Sequence, residues 1–214
     1  EDIDKEVKNC YDIANKAKAL GFDPDKSVKI PLARNMAERV EGLISSVAPE
    51  ILGKGVSERI QELEKKYGSQ DWRVALVIAE EVAKEKFCKF ESKKKAMEIG
   101  IRTGFSYVTV GVVSSPLEGF IGIDIRKRAD GQEYFALVYG GPIRSAGGTG
   151  ASVSVLIADY VRKKMGYATY DATEKEVKRA YTELCDYHER VTNLQYFPSE
   201  EEVTFLVNHL PVQL

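Results

Sequence analysis

The stretch Tyr139-Gly-Gly-Pro-Ile-Arg-Ser-Ala-Gly-Gly-Thr-Gly-Ala-Ser152, followed by Val153-Ser-Val-Leu-Ile-Ala-Asp-Tyr160, decides how this chain is read. Five glycines fall between Gly140 and Gly150, with Arg144, Ser145 and Thr149 among them. An apolar, strand-like run from Tyr134 to Tyr139 leads in. A helix-like run leads out and ends in Arg162-Lys163-Lys164. Glycine lets a backbone approach another group closely and adopt positive φ. A helix that begins just after such a turn aims free N–H groups, and the positive end of its dipole, at whatever sits there. The stretch therefore reads as an anion pocket formed by Gly140, Gly141, Gly147, Gly148 and Thr149, with Ser145 beside them. Arg144 is able to clamp a phosphate or carboxylate through paired hydrogen bonds. The competing reading is a structural turn in which the glycines only let strand, turn and helix pack closely. The turn is not a P-loop, because no Gly-Lys-Ser/Thr closes it. Nor does its glycine spacing match the dinucleotide fingerprint.

Outward from this stretch, the chain before it reads as helical. Ile3, Val7, Cys10, Tyr11, Ala14, Ala17 and Leu20 recur at helical spacing, and Gly21 sits where a C-terminal glycine belongs. Phe22-Asp-Pro-Asp-Lys reads as a turn, and Ile30-Pro-Leu as extended. Asn35 caps a short helix to Ser46, and Pro49 to Gly55 is a loop. Ser57 opens a helix that Gly68 ends. A helix from Asp71 to about Phe87 carries the stripe Trp72, Leu76, Ala79, Val82 and Ala83. Ser92 caps another, which becomes apolar toward Val113. Gly104 and Gly111 suit close packing there, and a switch to strand between Phe105 and Val113 is the alternative.

The character changes at Ser114-Ser-Pro-Leu-Glu-Gly119. Phe120 to Ile125 reads as a strand, Ala129-Asp-Gly131 as a hairpin turn, and Tyr134 to Tyr139 as the returning strand. A helix follows from Ala151 to Met165. Asp171 or Thr173 caps the next helix, Thr173 forming a capping box with Glu176, and Val203 to Val207 reads as a last strand with Pro211 at an edge. The expectation is an α+β fold. Residues 1–113 form a helical N-terminal region, and 114–214 a small mixed sheet with packed helices.

The 214 residues carry 43% hydrophobic side chains, enough for a core, and a net charge of −2 that gives no global nucleic-acid signature. Contact with nucleic acid must then come from local patches: Arg126-Lys127-Arg128, Arg144, and Arg162 with Lys163. If these share a face they track a phosphate backbone; otherwise they are ordinary solvated element ends. Three separated cysteines, Cys10, Cys88 and Cys185, suit a reducing, cytoplasmic setting and build no zinc site. No apolar run is long enough to span a membrane. His188 and His209 read as packed rather than catalytic, because no serine or cysteine is placed to pair with them. The carboxylate pairs Asp2/Asp4 and Asp23/Asp25 read as solvated. The chain opens on Glu1 and stops at Leu214 in a strand-like segment, which leads us to expect a piece of a longer polypeptide.

The residues also carry a resemblance. The turn from Tyr139 to Thr149 resembles the N-terminal region of the large, polymerising subunit of archaeal D-family DNA polymerase. So do Ile30 to Glu41, Gly55 to Ile60, Arg102-Thr103, Ser115 to Gly119, Leu156 to Gly166, and Tyr187-His188 with Val191 to Pro198. The resemblance covers nearly the whole chain, in order. It implies a two-subunit replicative nucleotidyltransferase, a heterodimer or heterotetramer, whose smaller subunit bears a 3′–5′ exonuclease. Magnesium is expected for the full polymerase, on acidic residues much further along the large subunit. No cofactor and no catalytic residue is expected in this stretch. It implies an accessory role, with a KH-like module as one reading of 114–214. The implied partners are the small subunit, primer–template DNA and self-association. The alternative role is a scaffold for subunit assembly with no nucleic-acid contact. A free nucleotide on the turn is a third reading, weaker because no lysine or metal ligand follows it.

Overall fold

The computed structural model describes residues 2–22 and 32–214, with the side chains of Asp2 and of residues 144–147 left aside. It divides into two units, Glu1–Leu32 and Ala33–Leu214. The first is helix α1 (Asp2–Ala19). Gly21 closes it at φ 76°. The Gly21 N–H donates to the Lys18 carbonyl and the Phe22 N–H to that of Ala17, both at 3.0 Å, which satisfies two of the last orphan acceptors. The expected turn at Asp23 to Lys26, the Asp23/Asp25 pair and the expected extension at Ile30-Pro31 lie outside the described residues.

The second unit begins with four helices whose ends follow their capping residues. Helix α2 (Met36–Ser45) starts where Asn35 Oδ1 accepts from the Glu38 N–H at 2.9 Å. Helix α3 (Val56–Tyr67) runs from Gly55 to Gly68, both at positive φ. Helix α4 (Trp72–Ala83) is capped by Asp71 and stops short of Phe87, because Glu85 takes φ 56°. Trp72, expected at the head of the apolar stripe, is 55% exposed; it is the first helical residue and projects beyond the packed face. Helix α5 (Lys93–Val108), capped by Ser92, ends before the expected Val113. Val110 at φ 57° and Gly111 at φ 68° turn the chain out of the helix, and no described strand lies between 105 and 113.

Helices α4 and α5 cross closely because glycine faces alanine. A Cβ on Gly100 would lie 2.5 Å from the Ala79 carbonyl oxygen, and one on Gly104 2.7 Å from that of Ala75. Two hydrophobic cores share this pair of helices. Val40, Ile44, Ile60, Val74, Ile78, Ile99 and Tyr107 make the first. Met97, Ile101, Phe105, Phe120, Ile123, Phe135, Ile157, Val161 and Val212 make the second, which thus draws on residues either side of Ser114.

After a wide helical turn at Ser114–Gly119, strand β1 (Phe120–Lys127) pairs antiparallel with β2 (Glu133–Tyr139), from Lys127↔Glu133 to Phe120↔Tyr139. Gly131 at φ 84° makes the hairpin turn. Helix α6 (Gly147–Met165) covers the second core, and α7 (Glu174–Arg190) starts at the Thr173–Glu176 capping box. The expected last strand is instead helix α8 (Glu200–Asn208). Ser199 and Glu202 form a second capping box there, and this local signal outweighs the strand preference of Val203, Phe205 and Val207. Beyond Pro211, Gln213 bridges to Ala136 on the outer edge of β2. The architecture is α+β: mostly helix around a small antiparallel sheet.

Candidate nucleic-acid interface

Strand β2 delivers the glycine turn. At its end the Gly140 N–H donates to the Gly119 carbonyl at 2.7 Å. Residues Gly141–Ala146 then make a tight 3-10 turn, and α6 begins at Gly147. The turn rests on the helical turn Ser114–Gly119, and two glycines permit that approach. A Cβ on Gly119 would lie 2.9 Å from the Ile143 nitrogen, and one on Gly140 3.0 Å from the Glu118 carbonyl oxygen. These two glycines serve packing.

Gly141 and Gly148 differ. Neither has positive φ, and a Cβ on either would meet nothing within 4 Å. Gly141, Gly148 and Thr149 are exposed. Neither conformation nor packing within this chain asks for glycine at 141 or 148. What they leave is bare backbone at the positive end of a 19-residue helix. The backbone of Arg144 and Ser145 lies within the same turn.

One buried and one half-buried side chain fix the turn's base. Arg102 donates to the carbonyls of Pro116 (2.7 Å), Leu117 (2.9 Å) and Ile121 (2.6 Å), and so holds the 114–119 turn. Burial pulls its pKa down, against the upward effect of Glu98. The signal for this role was a lone cation in an otherwise apolar helical run. Tyr139 shares a 2.6 Å hydrogen bond with Ser154 Oγ and ties β2 to α6; burial pushes its phenol pKa up.

The other expected cations are not gathered here. Arg162 lies 14 residues along α6 from Gly148, about 21 Å at the helical rise. It is 3% exposed: its guanidinium donates to Asp159 at 2.7 Å and 3.0 Å and to the Tyr167 carbonyl. It is a buried closure of the helix C-terminus, with no face left for a phosphate. Lys163 is exposed but paired to Asp159 at 2.7 Å, and Lys164 pairs with Glu80 at 3.3 Å. Arg126 stands at the hairpin end of β1, held by Gln213 at 2.9 Å and Asp124 at 3.8 Å. Of the expected cations, Arg162 and Lys163 thus lie at the end of α6 away from the glycine turn, and Arg126 lies on β1.

The histidines are engaged in packing. His188 Nδ1 accepts from the Leu194 N–H at 3.0 Å, and His209 stacks on Phe205 at 4.2 Å. Among the described residues no three His, Cys, Asp or Glu side chains gather as a metal site. No helix among the described residues is long and apolar enough to cross a membrane.

Comparison with known proteins adds a family. The family model described as DNA polymerase II large subunit DP2, N-terminal, matches residues 1–214. A relative named DNA polymerase II large subunit from Nanoarchaeum equitans is 49% identical over 98% of this chain and 17% of its own length. Relatives of the same name from Pyrococcus abyssi and Methanosarcina barkeri are 42% and 41% identical, over 100% and 99% of this chain. The chain spans 12% to 18% of the length of such curated relatives.

Proposed function

Since the chain belongs to the N-terminal family of the DNA polymerase II large subunit, we propose that it is an accessory, non-catalytic region of a cytoplasmic, magnesium-dependent DNA polymerase. Its turn from Gly140 to Gly150 touches the DNA backbone. The parent is a D-family replicative enzyme that extends a primer and works with a smaller exonuclease subunit. One observation carries the DNA contact: Gly141 and Gly148 have open space where a side chain would stand, at the N-terminal end of α6. Bare N–H groups there suit a phosphate oxygen, and Arg144 in the same turn adds a cation. Such contacts position the duplex without reading its sequence.

The test is primer–template affinity of the two-subunit polymerase carrying Gly148→Glu. A carboxylate at the mouth of the turn should weaken binding roughly tenfold at low salt and proportionally less as salt rises. Unchanged affinity across the salt series would remove the DNA contact.

A second reading, assembly, is favoured by an apolar cleft on α8. Tyr196, Pro198, Phe205 and Leu206 line it, with Tyr196 and Phe205 more than 60% exposed. Such a surface suits a protein partner. Co-purification of the small subunit with the large subunit carrying Phe205→Ser and Leu206→Ser tests it; undiminished recovery contradicts it.

A further inference from the structure

The sheet of the second unit has two named strands, yet the outer edge of β2 is already partly taken. The Ala168 N–H donates to the Glu133 carbonyl at 2.8 Å. The Gln213 N–H donates to the Phe135 carbonyl at 2.9 Å, and the Leu137 N–H donates to the Gln213 carbonyl at 2.8 Å. Both bridges, Tyr134↔Ala168 and Ala136↔Gln213, are parallel to β2. In a strand, alternate residues present their N–H and C=O to the same edge. The edge that holds Glu133, Phe135 and Leu137 therefore also holds the Leu137 carbonyl and the Tyr139 N–H. The Gly140 N–H points the other way, to Gly119 on the β1 side. Among the described residues no further segment bridges to that edge beyond Gln213.

Beside this open end lies a cleft of about 230 Å³ lined by Tyr139, Ala151, Ser152, Val155, Leu210 and Leu214. Val212 is fully buried in the second core, and Leu214, two residues on and so on the same face, is 61% exposed over the cleft.

We propose that this edge is an unfinished parallel strand site, filled in the full-length large subunit by the polypeptide that continues from Gln213. The register fixes the fit. The second residue after Gln213 donates to the Leu137 carbonyl and accepts from the Tyr139 N–H, and the strand runs toward the glycine turn. Relatives are about six to eight times the matched length, so such full-length subunits carry ample polypeptide to supply the strand. Strand addition satisfies main-chain groups that water otherwise serves, and it removes a free edge. It also covers Leu214 and the cleft, and it ties the next part of the subunit to the turn that the DNA reading invokes. The proposal rests on family membership and not on DNA contact.

The experiment is amide hydrogen exchange on the full-length large subunit without DNA. The Tyr139 amide is expected to exchange about 100-fold or more slower than its intrinsic rate. Proline at the second position after Gln213 should return Tyr139 to near its intrinsic rate, because the new strand can no longer donate to Leu137. The Leu137 amide, bonded to Gln213, should stay protected and so show that the fold survives. A Tyr139 amide that exchanges freely in the unmodified protein overturns the proposal. So does protection that survives the proline, since it would put some other segment on the edge. Loss of DNA affinity in Gly148→Glu with a free Tyr139 amide would sink this inference alone.

Discussion

The two ends of α6 carry opposite lessons about charge. The C-terminal end is rich in cations, Arg162, Lys163 and Lys164, yet each is matched to a carboxylate: Asp159 for the first two and Glu80 for the third. The N-terminal end opens on glycines, where a helix carries the positive end of its dipole. The end that looks basic in sequence is largely neutralised. The end that looks neutral is the one where the anion is proposed to bind. Within the open end a second contrast holds: Gly119 and Gly140 are needed for close packing, whereas Gly141 and Gly148 face empty space.

The largest effect should come from breaking the packed half of that contrast. In Gly119→Val the new Cβ would meet the Ile143 backbone at 2.9 Å, so the two turns must part. We expect a loss of about 3 kcal/mol, read by denaturant unfolding, together with weaker DNA binding. Next comes Arg162→Met, which strips two hydrogen bonds from Asp159 and one from the Tyr167 carbonyl. A loss of about 2 kcal/mol with an unaltered salt dependence of DNA binding would mark Arg162 as a structural cation.

A smaller effect should appear with pH at the C-terminal end. Burial raises the pKa of the Glu80 carboxyl, but hydrogen bonds from Lys84, Tyr160 and Lys164 outweigh it and leave it below the ordinary 4.5. A depressed carboxylate contributes stability that is present above the unfolded value and lost as pH falls through the folded one. Thermal melts between neutral pH and pH 3 should therefore show a flatter acid limb in Glu80→Gln than in the wild type. The smallest effect is Gly148→Ala. The site is open and the φ is not positive, so stability should rise or hold within about 1 kcal/mol. A clear destabilisation would mean that Gly148 is packed after all.

Local signals were legible because they act within a few residues. Asn35, Ser92 and Thr173 each cap the helix that their position predicts, and Gly21, Gly68 and Gly131 turn the chain where expected. The α+β class followed from them. The same kind of signal was overlooked at Ser199 with Glu202, where β-branched and aromatic residues suggested a strand and the capping box made α8. Other features depend on distant partners and could not be read locally. Whether Lys164 is free is decided by Glu80, 84 positions earlier, and the edge pairing of β2 is decided by Gln213. At the candidate site the glycine run itself was plain. Which glycines pack and which stand open depends on the turn at Ser114–Gly119, and no spacing rule within the run reveals that.

The salt dependence of primer–template binding by the two-subunit polymerase tests the central claim most directly, with Arg144→Ala and Lys163→Ala compared side by side. If the N-terminal end of α6 meets the backbone, Arg144→Ala should reduce the slope of log affinity against log salt by about 1, and Lys163→Ala should leave it unchanged. Equal slopes in Arg144→Ala and the wild type, with the drop found in Lys163→Ala instead, would place the contact at the other end of the helix and contradict the account.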